Sequence, residues 1–161
     1  MKAATITEIK KELKFKSVEE LTALCLRLSR FKKENKELLT YLLFESEDEE
    51  AFIKGIKEEM DQQFWEINTN SYFYIKKSVR KILRGIKKYS RYSPKKETEV
   101  ELLLYFCQSL KEFTPSIRSN VTLTNLYKRQ LDFITKKVSV LHEDLQYDYT
   151  LELEALNDTF N

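Results

Sequence analysis

An all-α fold, packed as a seven- or eight-helix bundle or a short α-α superhelix, is predicted by three observations. Only two Gly and two Pro occur in 161 residues, and sheets with tight hairpins need such turn residues. Apolar residues recur at intervals of three and four along most of the chain, which is the helical period. Charged residues make up 34% and hydrophobic residues 42%, the mixture of amphipathic helices rather than of a disordered chain. This length suffices to bury an ordinary core, so one all-helical domain over 1–161 is expected.

The elements follow in order. A helix over about 5–14 is opened by Thr5 with Glu8 three residues on, and Ile6, Ile9 and Leu13 form its face. The next starts at Ser17, where Glu20 completes a capping box, and turns Leu21, Leu24, Cys25, Leu28 and Phe31 to one side. A third covers about 35–46 with Leu38, Leu39, Leu42 and Leu43 inward. A fourth spans about 48–67, with acids at its N-terminus where they favour the helix dipole and a stripe of Phe52, Ile56, Met60, Phe64 and Ile67. Asn68-Thr69-Asn70-Ser71 breaks the chain before a fifth helix. Ser93 and Pro94 open a sixth, to about 113, through Val100, Leu103, Leu104, Cys107 and Leu110.

After Thr114-Pro115-Ser116, a single long helix is expected over about 120–144. Tyr127, Leu131, Ile134, Val138, Leu141 and Leu145 give it a near-heptad seam that could pair within the chain or with a second copy, which leaves a homo-oligomer open. Residues 147–153 alternate like a strand, but Leu145, Tyr149, Leu153, Leu156 and Phe160 also fit a helix, and a lone strand has nothing to pair with; helix is the reading chosen. Cys25 and Cys107 sit in apolar helical stretches and are expected buried and reduced. Gly55 and Gly85 lie inside helices, where close helix–helix approach, even of one Gly on the other, is the expected reason.

Charge is segregated along the chain. Residues 1–44 hold 10 basic and 6 acidic groups, 45–70 hold 2 and 9, 71–96 hold 10 and none, and 97–161 hold 6 and 11. The cations of the third segment are Lys76, Lys77, Arg80, Lys81, Arg84, Lys87, Lys88, Arg91, Lys95 and Lys96. They surround an apolar stripe of Ile75, Val79, Ile82, Leu83 and Ile86, which makes residues 71–92 an amphipathic helix with a broad cationic face. Tyr72, Phe73, Tyr74, Tyr89 and Tyr92 bracket it, and Trp65 stands just before it.

Such a face suits an acidic protein partner or an anionic membrane surface. With the tyrosines it also suits nucleic acid, through phosphate neutralisation and base stacking. The plainer reading is a solvated helix balanced by Glu45-Ser46-Glu47-Asp48-Glu49-Glu50 on an antiparallel neighbour. For Trp65 the plain reading is inter-helix packing; exposed, it would serve as a partner anchor.

Catalysis finds little support. Two glycines cannot form a phosphate-binding loop. His142 is the one histidine, and Glu143 and Asp144 beside it point elsewhere on a helix; a surface His at a helix C-terminus is expected. Carboxylate pairs Glu97/Glu101 and Glu58/Asp61 share helix faces without a full ligand set. No enzyme activity, catalytic residue, metal site or cofactor is therefore expected. No apolar run approaches the ~20 residues of a membrane span, and Met1-Lys2-Ala3-Ala4-Thr5 lacks the apolar core of a secretion signal, so a cytoplasmic protein is expected.

The stretch from Leu13-Lys14-Phe15-Lys16-Ser17-Val18-Glu19-Glu20-Leu21 through Leu26-Arg27-Leu28-Ser29-Arg30-Phe31 to Glu37-Leu38-Leu39 resembles a family of small all-helical bacterial proteins of unassigned function. The resemblance implies a helical fold and carries no chemical motif. Leu13 and Ser17-Val18-Glu19-Glu20-Leu21 also resemble the opening of the SAP helix–turn–helix DNA-binding module, whose Gly-containing turn and basic second half are missing here. The expected function is a non-enzymatic interaction module whose basic helix meets an acidic partner, with nucleic acid as the alternative partner.

Overall fold

The structure, a computed structural model, describes residues 1–158. It is all-helical, with eight α-helices and no strand among the described residues. Phe160, placed on the last helical face from the sequence, lies outside them. The chain divides into two compact units, the first Met1–Phe44 and the second from Glu45 onward.

The first unit holds α1 (Ile6–Leu13), α2 (Val18–Phe31) and α3 (Lys33–Thr40), the last running into a π-helical turn at Tyr41–Glu45. The expected capping boxes form. Thr5 Oγ accepts from the Glu8 amide at 3.3 Å while Glu8 accepts from the Thr5 amide at 2.7 Å. Ser17 and Glu20 repeat this at 3.1 and 2.8 Å. Each cap satisfies amides that have no partner within the helix, a contribution of about 0.5–2 kcal/mol. Lys32 alone separates α2 from α3, and the Asn35 side chain donates to the Leu28 carbonyl at 2.8 Å to close that corner.

Tyr41 is the one buried residue of this unit. The apolar faces of α2 and α3 border a groove of about 210 Å3 lined by Cys25, Leu28, Leu38, Leu39 and Leu42. Cys25 is therefore exposed, not buried as its apolar neighbours suggested. The helix expected over 35–46 stays α-helical only to Thr40 and then widens into the π turn.

The second unit holds α4 (Glu49–Trp65), α5 (Tyr72–Ser90), α6 (Lys96–Glu112), α7 (Val121–Val138) and α8 (Glu143–Asn157). Helix α6 is central: Thr98, Val100, Leu102, Leu103, Leu104, Phe106, Cys107 and Leu110 are all buried, which covers about two-thirds of its circumference and leaves Glu97, Glu101, Tyr105 and Gln108 along the remaining side. So broad an apolar surface must be covered, and α4, α5, α7 and α8 pack around it. Burial also pushes the Cys107 thiol up to about 12, so it stays protonated.

Side-chain bonds fix the order around α6. Tyr89 of α5 donates to Glu59 of α4 at 3.2 Å. Tyr72 of α5 donates to the Ser116 carbonyl, just before α7, at 2.8 Å, and Lys87 of α5 lies 5.2 Å over the Phe133 ring of α7. Tyr127 of α7 donates to the Leu156 carbonyl of α8 at 3.0 Å. The sequence is thus α4, α5, α7, α8, with α5 and α7 on one side of α6 and α4 and α8 on the other.

Three features of the second unit differ from what its sequence suggests. The long helix over 120–144 is two helices, α7 and α8, separated by residues 139–142. The Gln146 side chain donates to the Ser139 and Leu141 carbonyls, satisfying acceptors left free at the end of α7. His142 is accordingly the N-cap of α8, its Nδ1 accepting from the Asp144 amide, rather than the C-terminal histidine of one long helix. Gly55 and Gly85 face open space, with nothing within 4 Å of where a Cβ would stand, so close packing does not explain them. The seam residues Tyr127, Leu131, Ile134 and Val138 are buried within this chain. Residues 147–153 are helical. No helix is long and apolar enough to cross a membrane among the described residues.

Candidate functional site

Helix α5 presents the charge concentration that the sequence singled out. Ile75, Val79, Ile82 and Ile86 are buried against the core, which fixes the rotation of the helix. The opposite side then carries Lys77, Arg80, Lys81, Arg84 and Arg91, all exposed. Lys76 and Lys87 lie half-buried on the flank toward α7. Lys88 lies 4.5 Å over the ring of Tyr89.

Among the described residues, the side chains of Lys76, Lys77, Arg80, Lys81, Arg84 and Arg91 make no ion pair and no hydrogen bond. The acidic residues 45–50, which lead into α4, therefore do not neutralise them. Its Glu49 is buried and accepts from the Thr98 hydroxyl of α6 instead. Like charges at i,i+4, such as Lys77/Lys81 and Arg80/Arg84, cost about 0.2–0.5 kcal/mol per pair. No acid stands in the first turn of α5, so the positive end of its dipole adds to Lys76 and Lys77.

The aromatic residues do not act as one set. Tyr72 is tied to the Ser116 carbonyl, and Tyr89 to Glu59. The Tyr92 ring sits edge-on to Tyr89 with centroids 6.0 Å apart. These three are half-buried and held by the protein's own contacts. Tyr74 is exposed, edge-on to Phe73 at 5.4 Å. Trp65 ends α4 and is 85% exposed, while its neighbour Phe64 packs near Phe106 and Phe113 at 5.9 and 6.0 Å. Inter-helix packing thus describes Phe64 and not Trp65.

The cationic surface extends beyond α5. Lys87 over Phe133 places the exposed Arg129 and Lys136, one turn to either side of Phe133, on the flank of α7 nearest α5. The doublets Lys128-Arg129 and Lys136-Lys137 were the sequence signal for this; only the helix order makes it part of the same face.

A second feature lies between α4 and α8, over α6. It is a groove of about 570 Å3 lined by Glu101, Asp148 and Glu152 together with Lys57. Lys57 is 2.6 Å from Glu101 and 5.2 Å over the Tyr105 ring. Tyr105 donates to Asp61 at 2.8 Å, and burial, then that bond, raises its phenol above the ordinary value. Burial, then the charge of Glu101, raises the Glu152 carboxyl, with Lys57 acting against them. Burial, then the same group of carboxylates, pushes Tyr149 up to about 12. No group of three His, Cys, Asp or Glu that could hold a metal ion is present among the described residues. Comparison of the chain with protein-family models, with curated proteins and with solved structures gives no match.

Proposed function

We propose that this chain is a non-enzymatic helical interaction module whose cationic α5 face docks onto an acidic protein partner. The observation that carries the reading is the row of five exposed cations, Lys77, Arg80, Lys81, Arg84 and Arg91, with no counter-charge paired to them among the described residues. Carboxylates of a partner would relieve their mutual repulsion and form charge-assisted hydrogen bonds. Engagement of Tyr72, Tyr89 and Tyr92 in internal contacts favours a protein partner over nucleic acid, because stacking needs open ring faces.

Exposure of Tyr74 and Phe73 beside Lys77 is the observation that favours the second reading, a nucleic-acid surface. Fluorescence anisotropy of labelled oligoglutamate, single-stranded RNA and duplex DNA at ~50 mM salt separates the two. Oligoglutamate is expected to bind at micromolar levels, weaken with salt, and be lost in the Lys77→Glu, Arg80→Glu, Lys81→Glu, Arg84→Glu variant. Tighter binding of RNA or DNA would move the reading to nucleic acid, and absence of all binding would leave the face a solvated surface.

A further inference from the structure

We infer that the acidic partner of α5 is a second copy of this chain, presenting the face formed by its α4 and α8. The inference rests on the docking reading of α5 and adds the identity of what docks. Its basis is the polarity of the second unit. Helix α5 carries seven cations and no acid, and α7 four cations and one acid. Helix α8 carries five acids and no cation, and α4 five acids and two cations. The α4–α8 groove and the exposed cations of α5 lie on opposite sides of α6, and Lys77, Arg80, Lys81, Arg84 and Arg91 pair with no acid of α4 or α8 among the described residues.

The acidic half also carries unpaired charge. Glu50 and Glu58 on α4 and Asp148 and Glu152 on α8 are exposed and make no ion pair or side-chain hydrogen bond among the described residues. Among the described residues lining the α4–α8 groove Lys57 is the sole cation, and it is already held by Glu101. Leu104, Leu145 and Leu156 form an apolar floor there. A Lys or Arg side chain entering from outside would lay its methylene stem on that floor and bring its charge to Asp148 and Glu152. The exposed cations of α5 have the required length and charge. A formal net charge of only +2 on a chain so divided removes the long-range repulsion that keeps copies apart.

Because donor and acceptor faces are opposite one another, the contact is head-to-tail. It does not close as a two-fold dimer, and each added copy presents a fresh face. Association is therefore salt-sensitive and runs past two copies, into a ring or a filament according to the rotation between copies.

Sedimentation velocity of the full chain, from micromolar to about 100 µM, tests this at ~50 mM and ~500 mM salt. At low salt the average mass is expected to climb with concentration without a plateau at two copies, and the apparent dissociation constant to rise at least ~10-fold at high salt. Two variants are then compared: one with Lys77, Arg80, Lys81 and Arg84 changed to Glu, the other with Glu58, Asp148 and Glu152 changed to Lys. Each alone is expected to sediment as a monomer, and an equimolar mixture to associate again, which a misfolded variant could not do. A wild-type monomer at low salt, a plateau at two copies, association of either variant alone, or a mixture that stays monomeric would overturn the inference. Oligoglutamate binding by a chain that does not self-associate would sink this inference and leave the docking reading standing; loss of both would remove both.

Discussion

The two units use the same kind of helix to different ends. In the unit from Glu45 onward, α4, α5, α7 and α8 turn their apolar stripes onto α6, and residues such as Leu103, Phe106 and Tyr127 lose all contact with solvent. In Met1–Phe44, the stripes of α2 and α3 border an open groove, and Leu28, Phe31 and Leu43 remain exposed. Amphipathic periodicity alone thus does not make a core. A core needs an enclosed element, and α6, buried on all but the side of Glu101 and Tyr105, is that element of the second unit. Three short helices hold no equivalent, and their order leans on end-capping.

That contrast sets the order of expected mutational effects. Leu103→Ala, in α6, is expected to destabilise the second unit by about 2–5 kcal/mol, whereas Leu28→Ala, at an exposed position of α2, changes stability by within about 0.5 kcal/mol. Denaturant unfolding measures both, and comparable costs at the two sites would break the comparison. Next, Ser17→Ala removes the capping box of α2 and should cost about 0.5–2 kcal/mol, seen as lost helicity by far-UV circular dichroism. An unchanged spectrum would mean that packing rather than capping holds α2.

Smaller effects sharpen the account of the second unit. Gly55→Ala and Gly85→Ala meet no neighbour, so each should stabilise by about 0.5–1 kcal/mol through helix propensity alone; a loss in melting temperature would restore a packing role for the glycine. Glu152 gives the smallest effect. Its carboxyl is raised above 4.5 in the folded chain. The stability it contributes is fully present below 4.5 and falls as pH rises through the higher folded value. Glu152→Gln should therefore raise the melting temperature at pH 7, with the gain shrinking as pH falls toward 4.5; a pH-independent gain would argue against a charge effect.

Much of this was legible in the residues. Both capping boxes, the buried stripe of α5 and its cationic opposite side follow from spacing, because they are local. Centrality of α6 was written in Leu102-Leu103-Leu104 and Phe106-Cys107, yet a one-face reading took only Val100, Leu103, Leu104, Cys107 and Leu110. The break between α7 and α8 also had a local sign: Lys136 and Lys137 near one helix end and Glu143 and Asp144 near the next helix start match two dipoles, not one. The near-heptad spacing ran through the break and masked it. Exposure of Cys25 and Trp65, and the opposition of the basic and acidic halves, depend on which helices are neighbours, which no single stretch encodes.

The most direct test of the docking face is a 15N–1H correlation spectrum of the full chain titrated with oligoglutamate at low salt. Shifts concentrated at Lys77, Arg80, Lys81, Arg84 and the adjoining α7 residues Arg129 and Lys136 are expected. Shifts scattered over the other cations of the chain, or gathered in the first unit around its own lysines, would contradict a dedicated cationic face on α5.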